Sequence, residues 1–460
     1  MFVCNGNIRS AINARLKQKK LEPKKQVVDT PELPLITLQA SDTIFIGSKP
    51  LSGLDFNNII DKFQNNIRTN MDILLGNNNG TKYDQLYMNS HVHSNLLNKR
   101  NFDGFIKQYS QKSEKGVLQE IWKAFDKNKF KKIHRQKWIN KNKANDALKK
   151  IGCPVVFNKG PRVGHEAIVS TAQNTKDRLF VFGCTVHKNS DIILNRYHHQ
   201  DRDTTSRVHH DPDNEVDILH WLHEHNHIDI TFCLLKNKKI PTLDCQGVRP
   251  TLCSINMLIR EFGIIVLENY FNNAFIDSIS DECLKLLVSQ KDEIQKRHEM
   301  GCCGTGDILH LQKLSGAIKR YTNEELFNNV VKLYKAPRSK KILIDHKTHD
   351  PNTISNVTTD WHKNDRHCQF KSIMYLTDTS EQNGNFQWIT NSSPRHIDIP
   401  GSKLSTYTVD SIVNNNDSCE FVDVTGKKGT IIIADTSYVH RNNIIHSGER
   451  VAITQNYFSG

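Results

Sequence analysis

Long apolar runs are missing from this sequence of 460 residues. No apolar stretch approaches the ~20 residues that a helix needs to cross a bilayer. Residues 1–20 hold no continuous apolar segment of the signal-peptide type. These absences predict a chain without a membrane span and without a secretion signal.

Cysteines in a disulfide or zinc-binding pattern are missing as well. The chain has 11 cysteines, an odd number, scattered from Cys4 to Cys419, and only Cys302 and Cys303 are close in sequence. This spacing contains no disulfide framework and no CxxC pair. We therefore expect a reducing, cytoplasmic location.

Apolar residues make up only 37% of the chain, but aromatic and β-branched residues occur throughout it. This distribution is typical of a soluble globular protein. A chain of 460 residues is too long for one ordinary hydrophobic core, so we expect two domains.

Positive charge is concentrated in one stretch of the sequence. The net charge is +13, and residues 123–150 hold 11 Lys or Arg against two Asp. Such a stretch attracts an anionic substrate or nucleic acid, but it is also typical of a solvated helix face. Because few aromatic residues are interleaved with the basic ones, we predict no nucleic-acid partner.

The strand and helix signals divide the chain into two parts of different class. TIFI at Thr43–Ile46, LFVFG at residues 179–183 and DITFCLL at residues 229–235 predict short buried strands beside helix-like segments, which is typical of an α/β domain. From Ile342 onward, short strands separated by turn residues predict an antiparallel β sandwich or barrel. The predicted parts are a loosely ordered lead-in (residues 1–40), an α/β domain (41–250) and a mainly-β domain (252–460).

Two histidines and an arginine in the mainly-β domain have a spacing that suits iron chemistry. His362 lies in WHKNDRHCQFK, His440 lies in SYVHRNNIIHSGER, and Arg450 follows His440 by ten residues. Two histidines and a carboxylate on one face bind Fe(II) and leave positions open for 2-oxoglutarate and oxygen. The planar fork of Arg450 suits the far carboxylate of 2-oxoglutarate.

Several ordered segments of this domain resemble the phytanoyl-CoA dioxygenase family. They are EFGIIVLENYF at residues 261–271, MYLTDTSEQNGNFQWITNSS at residues 374–393 and the His440 to Arg450 spacing. The resemblance covers residues 252–460 and implies a double-stranded β-helix (jelly roll) with Fe(II) and 2-oxoglutarate as cofactors. It implies that His362 and His440 bind the metal and that Arg450 binds 2-oxoglutarate.

The third metal ligand departs from the family pattern. Members of the family usually carry His-x-Asp, whereas this chain has Asn364 at the second position after His362 and Asp365 directly after it. On a regular strand His362 and Asn364 share a face, which makes Asn364 the ligand by position. A local bulge would instead turn Asp365 into the site. Both readings stay open, and in a third the site has lost its iron.

The start of the α/β domain predicts a strand, a small-residue turn and a helix. The segments are SDTIFIGSKPLSG at residues 41–53, IIDKFQNNIRTNM at residues 59–71 and GTKYDQLYMN at residues 80–89. Small side chains at Gly47 and Ser48 let backbone N–H groups approach a phosphate-bearing ligand. The same turn is also ordinary loop chemistry.

The order of these segments resembles that of sialyltransferase-like glycosyltransferases. A later segment, GPRVGHEAIVSTAQ at residues 160–173, looks like that family's second sugar-nucleotide segment. The resemblance implies a Rossmann-like fold and a nucleotide-sugar donor, with a cytidine monophosphate sugar as the donor in that family. It assigns Asn70 and the altered turn at Gly47 and Ser48 to donor binding.

The same resemblance assigns catalysis to His210 and Glu215, which form a His-x4-Glu element. His210 would remove a proton from an acceptor hydroxyl, a role that the near-neutral pKa of histidine suits. Glu215 would have an orienting or anchoring role in the same site. Many histidines lie between residues 197 and 227, so the match also arises readily by chance, and their spacing gives no zinc pattern.

These features together predict a bifunctional enzyme. The C-terminal domain would hydroxylate a small molecule or glycan with Fe(II) and 2-oxoglutarate, and the N-terminal domain would transfer a sugar from a nucleotide. One alternative is a metal- or ligand-binding protein with degenerate catalytic sites. The other is an oxygenase fused to a non-catalytic binding domain.

Overall fold

The structure is a computed structural model, and it describes residues 42–47, 67–70, 85–88, 132–135, 141–175, 178–188, 212–236, 240–289, 306–309, 316–334, 339–349, 361–364, 368–392, 406–416 and 419–458. All of these residues belong to one compact unit, Ile36–Gly460. None of the helices in these ranges has the length and apolar character that a membrane crossing requires.

The elements are numbered in chain order. The helices are α1 (Lys141–Lys150), α2 (Val163–Asn174), α3 (Pro212–Glu224), α4 (Leu252–Phe262), α5 (Asn273–Ser289), α6 (Gly316–Thr322), α7 (Glu325–Tyr334) and α8 (Thr406–Asn414). The strands are β1 (Thr43–Ile46), β2 (Ile67–Asn70), β3 (Gln85–Met88), β4 (Lys132–Arg135), β5 (Leu179–Phe182), β6 (Leu235–Lys236), β7 (Thr242–Asp244), β8 (Ile264–Glu268), β9 (Gly306–Leu309), β10 (Ser339–Thr348), β11 (Cys368–Tyr375), β12 (Phe386–Ile389), β13 (Phe421–Val424), β14 (Ile431–Asp435), β15 (His440–Asn442) and β16 (Glu449–Phe458).

Five strands from the N-terminal part form a parallel sheet in the order β4-β3-β2-β1-β5. Every side chain of β1 and β5 is buried, as expected for parallel strands that are covered on both faces. Helix α2 supplies part of that cover, since it packs against β2, β3 and β5. The predicted strands TIFI and LFVF are confirmed.

The segment at residues 59–71, which follows the predicted small-residue turn and is expected to supply the helix, ends in a strand. Ile67–Asn70 forms β2, which lies between β1 and β3 and pairs in parallel with both. Pairing with two neighbouring strands satisfies both edges of this backbone, and such tertiary context overrides a local helical pattern. Asn70, predicted to bind the donor, is therefore the last residue of a strand.

The predicted strand DITFCLL is mostly a 3₁₀ turn. Thr231–Leu234 forms that turn, and only Leu235–Lys236 is a strand. The cause lies in Asp229, whose carboxylate accepts a hydrogen bond from the amide N of Thr231 at 2.9 Å and turns the chain out of the extended conformation. The same carboxylate accepts a hydrogen bond from the hydroxyl of Ser254 at 2.7 Å.

The C-terminal part is a sandwich of two sheets. The larger has the order β6-β7-β8-β14-β11-β16-β10-β9, and the smaller has the order β13-β12-β15. One face of the larger sheet packs on the helices through Ile344, Met374 and Ile453. The opposite face, with Ile373 and Tyr375, packs on the smaller sheet. This arrangement confirms the prediction of a mainly-β, two-sheet architecture.

The larger sheet takes in residues from both sides of the predicted domain boundary. Strand β7 lies before that boundary and pairs in parallel with β8, which lies after it. Between them α4 begins at an N-cap, where the hydroxyl of Thr251 accepts from the amide N of Ser254. The division into domains at residues 250–252 stays a prediction.

Candidate active site

His362 and His440 face each other across an antiparallel bridge. The amide N of His362 donates to the carbonyl O of His440 at 3.0 Å, and the reverse hydrogen bond measures 2.9 Å. Their imidazole ring centroids are 4.4 Å apart. The fold therefore brings together the two histidines predicted to bind one metal ion.

The tautomer of His440 is set by the backbone next to it. Its Nδ1 lies 2.8 Å from the carbonyl O of Tyr438. Because a carbonyl only accepts, Nδ1 carries the proton and Nε2 presents a lone pair. That Nε2 atom is buried without a hydrogen-bond partner, and the residue is only 1% exposed. A metal ligand needs this arrangement.

The surroundings of His440 favour its neutral form. Burial lowers the pKa of His440 well below the ordinary histidine value, and the charges of Lys371 and His362 act in the same direction. The hydrogen bond to the carbonyl of Tyr438 opposes this shift with the smallest effect. Since a neutral imidazole is the form that binds metal, the site needs no deprotonation step at neutral pH.

Asn364 is held against the loop that leads to His440. Its amide N donates to the carbonyl O of Thr436 at 2.8 Å, and its side-chain Nδ2 donates to the hydroxyl of Thr436 at 3.0 Å. Of the two polar side-chain atoms of Asn364, Oδ1 is the one with the lone pairs that a metal ligand needs. Asp365, the other candidate, lies outside the described residues. Within the ranges that are described, no three His, Cys, Asp or Glu side chains form a metal-binding group.

Arg450 is buried inside the sandwich and already has a carboxylate partner. Its Nη2 donates to Oδ2 of Asp345, and its Nη1 donates to the carbonyl O of Gly384 and to Oδ1 of Asn442, the latter at 3.1 Å. Its Nε is buried without a partner. Arg450 is thus anchored through both terminal nitrogens while one donor is left for a ligand.

The residues present fit Fe(II) and 2-oxoglutarate. Two buried polar atoms without partners, Nε2 of His440 and Nε of Arg450, belong to side chains on the face between the two sheets. Asn442 connects them, because it lies two residues after His440 on β15 and accepts from Arg450. Buried unpaired polar atoms are costly, so a ligand that satisfies both is the physical account of their presence.

Three residues of this interior are missing from the sequence-based site. Asp345 lies on β10 and Lys371 lies on β11. The alternation of side chains along a strand shows which residues share a face, but it does not show which face is internal. Trp388 is fully buried, and its indole Nε1 has no hydrogen-bond partner. Its ring centroid is 6.3 Å from that of His440.

In the N-terminal part, the structure brings two predicted donor-binding residues to one edge of the parallel sheet. Gly47 directly follows β1 and Asn70 ends β2, so both lie at the carboxyl ends of neighbouring strands. Gly183 follows β5 on the other side of β1, and a Cβ on Gly47 would clash with the carbonyl O of Gly183. Ser48 and His210 lie outside the described residues.

Glu215 is fully buried in the first turn of α3. Its carboxylate accepts from the amide N of Arg162 at 2.8 Å and from the guanidinium Nε of the same residue. Nδ1 of His165 lies 3.6 Å away. These contacts join the starts of α2 and α3, and the catalytic role of Glu215 stays a prediction.

Neither a protein-family model nor a curated protein matches the sequence. Among solved structures, EctD from S. alaskensis with bound Fe is similar to 45% of this chain and 76% of its own, at 15% identity and a TM-score of 0.34. The non-heme alpha ketoglutarate dependent epimerase SnoN from nogalamycin biosynthesis covers 45% of this chain and 83% of its own, at 12% identity and 0.33. HygX from Streptomyces hygroscopicus with nickel and 2-oxoglutarate bound covers 44% of this chain and 84% of its own, at 14% identity and a TM-score of 0.32. Because these scores are below 0.5, the function of this chain is inferred from its own residues.

Proposed function

We propose that the C-terminal domain is an Fe(II)- and 2-oxoglutarate-dependent dioxygenase that hydroxylates a C–H bond. The observation that carries this proposal is the buried Nε2 of His440, which has no partner, beside the ring of His362. A histidine with a fixed tautomer, an unused lone pair and a second imidazole at 4.4 Å is built as half of a metal site.

The chain's own residues divide the work between holding the metal and holding the co-substrate. His362 and His440 would supply two nitrogen ligands, and Asn364 or Asp365 would supply an oxygen ligand. Fe(II) and 2-oxoglutarate, when bound, would supply the oxidation: one oxygen atom enters the substrate as hydroxyl, and the other enters succinate as 2-oxoglutarate loses carbon dioxide.

Arg450 would bind the far carboxylate of 2-oxoglutarate through its Nε edge. Asp345 and Asn442 hold the two terminal nitrogens of the guanidinium, so the direction of Nε is fixed before the ligand arrives. Such a pre-positioned donor in a buried site costs little to organise when the ligand binds. The adjacent sheet walls, with Tyr375 and Trp388, would exclude water from this region.

The test compares His440→Ala with His446→Ala. His446 lies in the same segment but is exposed, which makes it a matched control. We expect wild type and His446→Ala to bind one Fe(II) per chain and to convert 2-oxoglutarate slowly to succinate without substrate. His440→Ala should do neither. Normal iron content in His440→Ala, measured by elemental analysis, would refute the assignment. Absence of iron binding and turnover in wild type would favour a binding protein with degenerate sites.

A second proposed function concerns the N-terminal domain. We propose a Rossmann-like, nucleotide-sugar-dependent glycosyltransferase whose donor lies at the carboxyl edge of the parallel sheet. Supporting it is the reversal of strand order between β1 and β5, with Gly47 and Gly183 in close approach there. Open α/β sheets bind ligands at such a reversal. A side chain at position 47 would obstruct the close approach of Gly47 to Gly183.

The glycosyltransferase proposal predicts that the whole chain binds a cytidine nucleotide. We expect His210→Ala to keep this binding and to lose sugar transfer, because His210 would act on the acceptor and Asn70 on the donor. Calorimetric titration with cytidine, uridine and guanosine nucleotides tests it. Failure of all three would leave an oxygenase with a non-catalytic N-terminal domain. The same proposal includes a glycan or related small molecule as the substrate that both domains share.

A further inference from the structure

A cavity of about 430 Å³ lies where the chain leaves β7 and β8. These strands pair in parallel, with Asp244 opposite Glu268 at their carboxyl ends, so the segments that follow them leave the sheet at the same edge. The volume is within the range of small-molecule sites. Four amide side chains and two aromatic rings line the cavity: Gln246, Asn269, Asn272, Asn273, Tyr270 and Phe271.

Asp244 sets the direction of two of these amides. Its Oδ2 accepts from Nε2 of Gln246 at 2.9 Å, and its Oδ1 accepts from Nδ2 of Asn269 at 2.8 Å. Because a carboxylate only accepts, both amides turn their N–H groups towards Asp244. Among the residues that the structure describes, none donates a hydrogen bond to Oε1 of Gln246 or to Oδ1 of Asn269. The cavity therefore has two amide oxygens that can accept from a ligand.

The two asparagines at the start of α5 add donors. Oδ1 of Asn272 accepts from the amide N of Phe275 at 2.9 Å, so the Nδ2 group of Asn272 is the part of its amide that can donate to a ligand. Asn273 is exposed, and its side chain makes no hydrogen bond within the described ranges. Donors and acceptors thus occur together in this cavity.

Phe271 supplies an apolar surface beside the amides. Its half-buried ring packs edge-on against Tyr270 and Phe275, with centroids 4.8 and 4.9 Å away. The hydroxyl of Tyr270 donates to Oε1 of Glu324 at 2.8 Å, which fixes that ring in turn. Burial and the charge of Glu324 raise the pKa of Tyr270, so it is neutral at physiological pH. The described residues that line the cavity therefore carry no charge.

A second cavity, of about 260 Å³, adjoins the first, because Asn273 lines both. Ile276, Asp277 and Lys428 line it as well. Nζ of Lys428 lies 2.7 Å from Oδ1 of Asp277, so these two charges compensate each other. The pair of cavities thus offers an extended surface without an excess of charge of either sign.

We propose that these two adjoining cavities bind a neutral saccharide of two or more sugar units. A sugar hydroxyl both donates and accepts, which matches amides that present oxygen atoms at some positions and N–H groups at others. The C–H groups of a sugar ring are apolar and suit the ring of Phe271. An anion would need a set of donors, and a metal ion would need charged oxygen ligands, so neither matches the larger cavity.

The saccharide site is separate from the proposed metal site. The cavity follows Glu268, the last residue of β8, whereas the first residue, Ile264, pairs with Ala434. Two residues after Ala434 is Thr436, which contacts Asn364. The two ends of β8 are about 13 Å apart. The saccharide site therefore does not depend on the oxygenase function, and it would hold a glycan at a distance from the reacting centre.

The test titrates lactose, maltose and N,N′-diacetylchitobiose into the whole chain without added metal or 2-oxoglutarate, followed by ligand-observed NMR and calorimetry. Asn273→Ala should weaken binding about three- to tenfold, as loss of one or two neutral hydrogen bonds does. Asn269→Gly should have a similar effect, and its backbone should be kept because glycine readily adopts the φ of 54° found there. Asn226→Gly is the matched control, since Asn226 is exposed at a φ of 59° outside the cavity.

The saccharide site is supported if at least one disaccharide binds and if Asn273→Ala and Asn269→Gly weaken that binding while Asn226→Gly does not. Absence of binding by all three, or equal affinity in wild type and Asn273→Ala, would overturn it. Tighter binding of glucuronate than of any of the three would overturn the neutral class of ligand. His440→Ala should still bind the saccharide. Saccharide binding by a wild-type protein that never takes up iron would keep this site and refute the oxygenase.

Discussion

Arg450 and Asp345 form a buried ion pair that joins the two longest strands of the sandwich. Nη2 of Arg450 donates to Oδ2 of Asp345, and their strands, β16 and β10, pair along their whole length. The Arg450 side chain is 3% exposed and that of Asp345 is 12% exposed. The residue predicted to bind an anionic co-substrate is thus also part of the structural core.

The first prediction concerns the effects on stability of substituting Arg450 and Asp345, singly and together. Arg450→Gln should lower the free energy of unfolding by up to about 3–5 kcal/mol, because it removes the closer of two cations from the buried Asp345 carboxylate and leaves the Lys347 ammonium at 3.8 Å. Asp345→Asn should cost a similar amount for the reciprocal reason. The double variant removes both charges and should cost clearly less than the sum, as urea denaturation can measure. Additive losses would show that the two side chains do not interact in solution.

A second prediction separates the charge of Arg450 from its shape. Arg450→Lys keeps a positive charge near Asp345 but loses the planar fork and the Nε donor. We expect its iron content to stay at the wild-type level and its affinity for 2-oxoglutarate to fall about tenfold or more. Calorimetric titration of 2-oxoglutarate into the metal-loaded proteins gives the comparison. Equal affinities would mean that Arg450 has a purely structural role.

A third prediction concerns the turn between α4 and β8. Gly263 ends α4 at a φ of 72°, and a Cβ there would lie 2.5 Å from the ring of Tyr438. Gly263→Ala should therefore cost the left-handed penalty of about 1–2 kcal/mol plus a steric term of about 1–3 kcal/mol.

Gly152→Ala is the matched control for this third prediction. Gly152 has a φ of 80°, but a Cβ added there meets no atom within 4 Å. It should show the left-handed penalty alone, so the difference in free energy of unfolding between the two variants measures the contact with Tyr438. Equal losses for both would show that the ring moves aside without cost.

The sequence predicted the elements around the site better than the contacts inside it. Short strand segments separated by turn residues predicted the β structure from Ile342 onward, where β11, β14 and β16 lie, and the spacing from His440 to Arg450 indicated candidate ligands. The partner of Arg450 could not be found in this way. Asp345 is 105 residues away, and it meets Arg450 only through the register of β10 with β16.

Local side-chain chemistry accounts for the wrong strand at residues 229–235. Its apolar letters suit a buried strand, but the Asp229 carboxylate binds the amide N of Thr231 and turns the chain. The same carboxylate accepts from Thr251 and Ser254 at the start of α4. A pattern of apolar residues carries no information about such distant partners, so hydrophobic periodicity alone could not predict this turn.

The last prediction decides between Asn364 and Asp365 as the third metal ligand. On the regular strand geometry Asn364 shares a face with His362, and the hydrogen bond from its Nδ2 to Thr436 orients its Oδ1. If Asn364 is the ligand, Asn364→Ala should lose iron, Asp365→Ala should keep it, and Asn364→Asp should tighten it because a carboxylate binds Fe(II) more strongly than an amide does.

Thr436→Val adds an arm that only the Asn364 reading predicts. Valine keeps the shape of Thr436 but removes the hydroxyl that accepts from Nδ2, so the amide loses its orientation and iron affinity should fall about 10- to 100-fold. Iron affinity is measured by competition with a chelator, in parallel with the alanine variants. Loss of iron in Asp365→Ala with no effect of Thr436→Val would select Asp365 and a local bulge. Iron retained in both alanine variants would mean that neither side chain binds the metal, and a two-histidine site completed by an exogenous anion would then account for it.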